Sequence, residues 1–223
     1  MSSEAVIHVV EDDDSFRAAI SRLLRVAGYE TRGYRSAGEF LLEPPPAGPG
    51  CLLLDLNMPG PSGLELQEAV ARRGDGLPVV FLTAHGDIRK TVRAMRQGAS
   101  DFLTKPVRRE ELLAAVRAAL DRQREEASTS RWRREIAGRY ATLTPREREV
   151  LERVVTGAIN KQIAARLGTS ERTIKAHRAK IMEKMQVQSV AELVLAHAAL
   201  RRRTGTGARG PDVRLGGAAS PEG

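Results

Sequence analysis

Short apolar runs that each end in polar or charged residues constrain this chain more than any other feature. The runs occupy residues 5–10, 51–55, 78–83 and 101–106, and stretches with a helical pattern separate them. Their length suits strands, and the second and third are apolar almost throughout, as in strands covered on both faces. Alternation of strands and helices with short connections predicts an α/β fold, namely a doubly wound parallel sheet of about five strands.

Apolar residues at helical spacing fill the stretches between the runs, and a glycine follows three of them. The sets are Phe16, Ile20, Leu23 and Leu24 before Gly28; Leu64, Leu66 and Val70 before Gly74; Ile88, Val92 and Met95 before Gly98; and Leu112, Leu113, Val116 and Leu120.

The residues at the ends of the runs carry chemistry that fits one site. Four acidic residues, 11–14, follow the first run, whereas Asp55, Thr83 and Lys105 end the others. In open α/β sheets, ligands bind at the carboxyl ends of the parallel strands. Carboxylates suit a divalent metal such as Mg²⁺, a lysine suits phosphoryl oxygens, and an aspartate can accept a phosphoryl group. The set indicates a phosphorylation switch.

Each residue also has a plainer interpretation. An acidic cluster after a strand often caps the next helix, and we expect Asp13 and Asp14 to do so. Thr83 alone is a strand residue, and Lys105 alone is a surface lysine. The ordered combination is what favours the phosphoryl site.

Charge is divided unevenly along the chain. Residues 1–120 hold 15 basic and 16 acidic residues, whereas residues 121–223 hold 21 and 12, so the back half suits a polyanionic partner.

The single cysteine, Cys51, lies in an apolar run and predicts a buried thiol in a reducing compartment. Since no apolar stretch approaches the length of a spanning helix and no signal-peptide pattern opens the chain, we expect a cytoplasmic protein without membrane contact.

Residues 142–200 show helical patterns throughout. Thr144 before Pro145 predicts a helix start, Asn160 is expected to cap the next helix, and Thr169 or Ser170 a third. Two short helices joined by a turn containing glycine, the second one basic, predict a helix-turn-helix whose second helix enters the DNA major groove. A small helical bundle with solvated cations is the alternative, and the positive charge of the back half favours DNA.

These patterns divide the chain into residues 1–122, a charged helical linker at 123–140, a helical domain at 141–200, and a tail at 201–223 that we expect to be disordered.

Four blocks of the front half resemble the signatures of the response-regulator receiver domain: VVEDDDSFR, LLLDLNMPGPSGLEL, VVFLTAHGD and GASDFLTKP. The resemblance covers about residues 4–122 and implies the five-stranded doubly wound fold. It implies that Asp55 accepts the phosphoryl group and that Mg²⁺ binds to Glu11, Asp12, Asp55 and the backbone carbonyl of Asn57. It further implies that Thr83 and Lys105 contact the phosphoryl group, that Phe102 is the switch aromatic, and that the Lys105–Pro106 bond is cis.

Four positions bear on how closely this chain follows the family pattern. Glu11 stands where the family usually has aspartate, and Phe102 stands where many members have tyrosine. Asn57 and His85 occupy positions that flank the attacking water in the family. The switch that the resemblance implies begins when Thr83 moves towards the phosphoryl oxygens and Phe102 turns inward. Residues 88–96 and 101–103 then present an altered face, which usually dimerises in the family.

The block RTIKAHRAKIMEKM resembles the recognition helix of the LuxR-type DNA-binding domain, and residues 140–200 are covered. The resemblance implies that Lys175, Ala176 and Ala179 face the bases. Thr173, Arg178 and Lys180 are placed for phosphates, with His177 beside them. A further helix after Ser189 packs the domain pair on DNA in that family.

Together the two halves resemble response regulators of the NarL/FixJ family, which predicts a transcription factor rather than an enzyme. Its expected partners are a sensor histidine kinase that phosphorylates Asp55, double-stranded DNA, a second copy of the chain after phosphorylation, and RNA polymerase as a further candidate. Two other classes stay open. One is an aspartyl-phosphate hydrolase, although Asn57 cannot protonate a leaving group as a carboxylic acid can; the other is a DNA binder that acts independently of phosphate.

Overall fold

Residues 5–45, 48–74, 76–84 and 88–201 are described by the computed structural model, and their contacts divide into two compact units. The first extends to Thr129 and the second begins at Ser130. His85 and nearly all of the tail that we expected to be disordered lie outside the described residues.

The first unit contains a five-stranded sheet in which every pairing is parallel. Its strands are β1 (Val6–Val10), β2 (Glu30–Tyr34), β3 (Gly50–Asp55), β4 (Val79–Thr83) and β5 (Asp101–Thr104). Their order across the sheet is β2-β1-β3-β4-β5. The predicted doubly wound parallel sheet is therefore confirmed.

Helices α1 (Asp14–Val26), α2 (Ala37–Leu42), α3 (Gly63–Arg73), α4 (Ile88–Arg96) and α5 (Arg109–Ala141) connect or follow these strands. The buried residues form two apolar clusters in this unit. Leu52 and Leu54 of β3 belong to one cluster with Phe81, whereas Leu53 belongs to the other with Val116. Successive side chains of β3 thus enter opposite cores, which explains why a central strand reads as a continuous apolar run.

The pattern did not locate β2 and α2. Strand β2 reads ETRGY and lies at the edge of the sheet, where Tyr34 is its buried residue. An edge strand has one neighbour and a solvated side, so its sequence needs no apolar run. Helix α2 has six residues, too few for a clear periodic pattern.

Helix α5 continues without interruption through the segment predicted as a linker. Gln123, where we expected the linker to begin, is bound to the first unit: its Oε1 accepts a hydrogen bond from the Gly50 amide at 2.9 Å, and its Nε2 donates to the Gly48 carbonyl at 3.1 Å. Further along α5, Ile136 is buried in the core of the second unit, with Tyr140 packed against it, while Trp132 is exposed.

The second unit contains α6 (Pro145–Val155), α7 (Asn160–Leu167), α8 (Glu171–Met185) and α9 (Val190–Arg201). Leu151, Ile163, Ile174 and Leu193 bring one residue from each helix into a common core. This is the predicted helical domain, and α7 and α8 form its helix-turn-helix.

Polar caps define several helix starts as the sequence predicted. The Asp13 carboxylate accepts hydrogen bonds from two amides of α1, Thr144 and Glu147 form a reciprocal capping box on α6, and the Ser170 hydroxyl caps α8. The prediction for Asn160 is wrong. Asn160 is the first residue of α7, Ile159 takes the cap position without a side-chain bond, and the Asn160 side chain binds elsewhere.

Among the described residues, we find no helix that combines the length and the apolar character needed to cross a membrane.

Candidate functional site

The strand ends of the first unit bring the predicted phosphoryl-site residues to one edge of the sheet. Glu11 follows β1 directly, Asp55 ends β3, Thr83 ends β4 and Lys105 follows β5. Because β1, β3, β4 and β5 are neighbours and run parallel, their carboxyl ends open on the same side. Residues separated by up to 94 positions along the chain thereby share one pocket.

Lys105 links the two buried carboxylates of the pocket. Its Nζ lies 2.6 Å from Glu11 Oε2 and 2.8 Å from Asp55 Oδ2. Glu11 is 1% exposed and Asp55 6%. The ammonium also lies over the Phe16 ring, 4.3 Å from its centre. The Lys105–Pro106 peptide bond is cis, as the resemblance implied.

Two carboxylates share this single ammonium, and the pKa values of Glu11 and Lys105 reflect it. Burial raises the pKa of the Glu11 carboxyl; the hydrogen bond from Lys105 lowers it, while the negative charge of Asp55 raises it again. Burial disfavours the charged form of Lys105, but the hydrogen bonds to Asp55 and Glu11 outweigh this, so the pKa of Lys105 is raised. The pocket holds more negative charge than one lysine neutralises, which favours a further cation.

The oxygen atoms needed to hold such a cation are close together. Carboxylate oxygens of Glu11, Asp12 and Asp55 all lie within 4.8 Å of one another, and Asp12 is exposed at the mouth. Three hard oxygen donors of this kind fit Mg²⁺, which typically retains several waters beside one or two carboxylates. The acidic cluster predicted from the sequence therefore exists as a geometrical unit.

Asn57 lies at the mouth of the pocket. Its backbone amide donates to Asp55 Oδ1 at 3.1 Å, and its side-chain Oδ1 accepts a hydrogen bond from Lys90 Nζ at 2.8 Å. An open cavity of about 810 Å³ adjoins this point and is lined by Asp12, Asn57, Lys90 and neighbouring residues. Lys90 was missed by the sequence analysis, because nothing in the local pattern of α4 separates it from the surrounding basic residues.

The switch residues predicted from the resemblance occupy the neighbouring strands. Thr83 is fully buried at the end of β4, and Phe102 of β5 is half-buried with its ring 6.5 Å from that of Phe81. On α4, Val92 is 44% exposed and Met95 47%, so part of the apolar pattern that marked this helix faces outward.

Two further residues shape the pocket and were not predicted. Arg17 of α1 donates from Nη1 to the Glu11 carbonyl at 2.6 Å and from Nη2 to Asp14. It thereby holds both ends of the acidic segment 11–14. Gly63 opens α3 where a Cβ would overlap the carbonyl oxygen of Asp55. Arg17 lies three residues after Asp14, a spacing that suits an ion pair on a helix, whereas the tight approach at Gly63 leaves no trace in the sequence.

The second candidate site is the outer surface of α8. Five of the seven predicted DNA-contact residues are exposed, His177 and Arg178 are half-buried, and Ile174, Ile181 and Met185 face the core; the exposed five are Thr173, Lys175, Ala176, Ala179 and Lys180. The structure therefore places most of the predicted contact residues on an accessible helix surface.

Arg178 differs from the other predicted contact residues. Its Nη1 donates to Asn160 Oδ1 at 3.0 Å, which joins α8 to the first residue of α7. Another bond anchors α8 near its end, where Lys184 Nζ lies 2.6 Å from Glu147 Oε2. The hydrogen bond from Lys184 lowers the pKa of the Glu147 carboxyl despite the burial of that side chain.

Comparison with known proteins gives matches to both units. Residues 7–117 match the model of the response regulator receiver domain, and residues 141–197 match that of bacterial regulatory proteins of the luxR family. Nodulation protein W of Bradyrhizobium diazoefficiens is 45% identical over 86% of this chain and 85% of its own length. Transcriptional regulatory protein FixJ of Azorhizobium caulinodans is 42% identical over 87% and 92%.

Solved structures agree with these matches. The response regulator StyR superposes with a TM-score of 0.75 at 43% identity, covering 88% of this chain and 99% of StyR. Full-length FixJ from B. japonicum gives a TM-score of 0.56 at 36% identity, covering 90% and 98%.

Proposed function

This chain belongs to the response regulators that join a receiver domain to a LuxR-type DNA-binding domain, and from that premise we propose that phosphorylation of Asp55 controls its binding to DNA. The observation that carries the proposal is the Lys105 bridge to Glu11 and Asp55. It sets a carboxylate, an ammonium and an acidic cation site around one pocket, which is the set that phosphoryl transfer to an aspartate requires.

The proposed reaction starts from a phosphohistidine of the partner kinase. An Asp55 oxygen attacks the phosphorus, the bond from phosphorus to the imidazole nitrogen breaks, and its electron pair returns to the ring. Lys105 neutralises phosphoryl oxygens from one side, and the amide of Asn57 helps to orient the attacking carboxylate. A divalent cation such as Mg²⁺ held by Glu11, Asp12, Asp55 and the Asn57 carbonyl would neutralise further phosphoryl charge.

We propose that the acquired charge reaches the surface through Thr83 and Phe102. Thr83 ends the strand beside Asp55, and Phe102 lies one strand further along, between the core and solvent. Movement of the Thr83 hydroxyl towards the phosphoryl oxygens opens space into which the half-buried Phe102 ring turns. The exposed residues Val92 and Met95 of α4 support an interface with a second copy after this change.

The output in this proposal is a change in DNA affinity. Helix α8 presents Lys175, Ala176 and Ala179 to base edges, and Thr173 and Lys180 to backbone phosphates. Arg178 and His177 lie at the border of this surface, and RNA polymerase is the candidate partner of the bound protein. A sensor histidine kinase supplies the phosphoryl group.

Substitution of the acceptor tests the proposal. Asp55→Asn should abolish covalent labelling by radioactive acetyl phosphate and the increase in DNA affinity that labelling produces. Asp121→Asn, a change at an exposed aspartate of α5, should leave both intact. A variant at Asp55 that still became labelled would remove this residue from its role.

The DNA sequence itself can be found by selection. Phosphorylated protein should enrich a related set of duplexes from a random pool, and the unphosphorylated protein should enrich them less. Equal enrichment in both states would favour the phosphate-independent DNA binder. Steady hydrolysis of a chromogenic phosphate ester would favour the phosphatase instead.

A further inference from the structure

Asn160 makes a contact that its expected capping role does not explain. It opens α7, yet its side-chain oxygen accepts a hydrogen bond from Arg178 of α8 at 3.0 Å. The two residues lie 18 positions apart and the contact is partly buried. The pair therefore joins the two helices of the helix-turn-helix directly, beside the apolar contacts of Ile163 and Ile174.

The position of Arg178 on α8 agrees with an inward role. Ile174, Arg178, Ile181 and Met185 follow one another at intervals of three or four residues, so they share one stripe of the helix. The three apolar members of this stripe are buried, and Arg178 is half-buried. Lys175, Ala176, Ala179 and Lys180 lie outside the stripe and are exposed.

The bond from Arg178 ties the inward stripe of α8 to the first residue of α7. A hydrogen bond from a guanidinium to an amide oxygen is charge-assisted and directional. Because the recognition helix reads bases by contacts that need matching geometry, a small rotation of α8 would affect base contacts more than contacts to phosphates.

We propose that Asn160 is a positioning residue for DNA recognition, acting through Arg178 to hold α8 in its base-reading orientation. The inference rests on the proposed DNA-binding function of α8. We call the hydrogen bond between Arg178 and Asn160 the clamp. In this proposal Arg178 contributes mainly to sequence specificity, and not to neutralisation of a phosphate.

The two roles of Arg178 predict different salt behaviour. Loss of a phosphate contact weakens binding to all sequences alike and lowers the slope of log affinity against log salt by about one. Loss of the clamp lowers the ratio of specific to non-specific affinity and leaves the slope nearly unchanged.

The experiment uses the full chain, the duplex enriched by selection with wild-type protein, and a scrambled duplex of equal length. Asn160→Ala and Arg178→Met should each reduce the specificity ratio by about tenfold, the size expected when a hydrogen bond to a charged group is lost. The double variant should be no worse than either single variant, since both remove the same contact. Asn160→Asp, which keeps an acceptor for Arg178, should recover most of the ratio.

Lys180→Met is the matched control, because Lys180 is exposed on the same helix and is placed for phosphate contact. It should lower the salt slope by about one and change the specificity ratio little. If this variant and the wild type fail to show salt-dependent DNA binding, the proposed function fails. If the control behaves as expected but Asn160→Ala leaves the ratio unchanged, the clamp is wrong. A uniform loss with a reduced slope for Arg178→Met would assign Arg178 to a phosphate and also overturn it.

Discussion

Lys105 is the residue on which the electrostatics of the pocket depend. It is the cation that contacts both Glu11 and Asp55 within 2.8 Å, and both carboxylates are nearly inaccessible to water. Removal of one partner from a buried ion pair leaves the remaining charges without compensation, which costs more than the pair contributes. The lysine thus compensates the buried carboxylates as well as serving the proposed transfer.

Lys105→Met should therefore destabilise the first unit in the absence of divalent cations, by about 3 kcal/mol. Added Mg²⁺ should stabilise this variant more than the wild type, because a bound cation restores the lost neutralisation. Urea denaturation with and without Mg²⁺ measures both effects. Arg96→Met, a change at an exposed residue of α4, should stay within about 0.5 kcal/mol. Equal Mg²⁺ stabilisation of Lys105→Met and wild type would argue against the cation site.

His8 makes the stability of the first unit depend on pH, and this effect is separate from the phosphoryl pocket. It is buried in β1, and its Nδ1 lies 3.1 Å from the Tyr34 hydroxyl. Burial, with smaller contributions from the charges of Arg32 and Arg73, lowers the pKa of His8 to about 4. The folded state therefore favours the neutral imidazole. The resulting contribution to the free energy of unfolding is fully present when the pH is above the ordinary pKa of histidine, about 6.5.

That stability should be lost as the pH falls from about 6.5 towards 4, and the loss attributable to His8 should reach about 3 kcal/mol. His8→Phe should be less stable than wild type near neutrality, since Tyr34 loses its partner, yet it should lose less on acidification. Urea denaturation at about pH 7 and about pH 4.5 compares the two. An identical pH dependence in both proteins would show that His8 does not titrate as its burial requires.

At the scale of elements, the close approach of α3 to β3 places the acceptor strand. Gly63 is the first residue of α3, and a Cβ there would overlap the Asp55 carbonyl and approach a ring atom of Phe81 to 3.1 Å. The Ser62–Glu65 capping box fixes the same helix start. The absence of a side chain at one residue thus allows the helix to pack where the acceptor is held.

Gly63→Ala should force α3 away from Asp55 and cost about 2–3 kcal/mol of unfolding free energy, as overpacking of a core does. Labelling by acetyl phosphate should fall as well. Gly138→Ala is the matched control, because Gly138 lies in α5 with no atom near its Cβ position, so the change should stabilise by about 0.5–1 kcal/mol. Thermal unfolding followed by circular dichroism measures both; a neutral Gly63→Ala would mean that α3 can shift without cost.

The helix starts show which N-terminal caps could be predicted from the local sequence. Asp13, Thr144 and Ser170 cap helices as their side chains and positions predicted, because capping depends on residues three apart in sequence. Asn160 did not, because α7 starts one residue earlier than predicted, with Ile159 at the cap position, and the Asn160 side chain accepts a hydrogen bond from the distant Arg178 instead.

At the scale of the whole molecule, the two halves of the chain differ in net charge, as suits a receiver domain and a DNA-binding domain. The basic residues concentrate in the half that contains α8, while the front half is nearly neutral. Within the nearly neutral front half, the exposed residues Val92 and Met95 give α4 an outward apolar surface against which a second copy can pack. Two DNA-binding units brought together by such a contact would bind paired half-sites more tightly than one.

Met95→Glu should therefore prevent the association of phosphorylated protein without preventing labelling of Asp55, because it places a charge in the outward apolar patch of α4. Sedimentation of the full chain with and without acetyl phosphate measures this. Val26→Glu changes an apolar residue on α1 that is still more accessible than Met95, and it should leave association intact. If Met95→Glu still dimerised on phosphorylation, another surface would have to carry the contact.

The sequence by itself determined the fold class, the strand ends that carry chemistry and the basic recognition helix. These depend on periodicity, on the apolar character of central strands, and on residues such as Asp55 and Lys105 that stand next to such strands. Tertiary structure alone decided the edge strand β2, the links from Arg17, Lys90 and Asn160 to their partners, and the contact at Gly63. The reason is physical: burial patterns repeat along the chain and can be read locally, whereas a hydrogen bond or a close approach between distant residues exists only after the chain has folded.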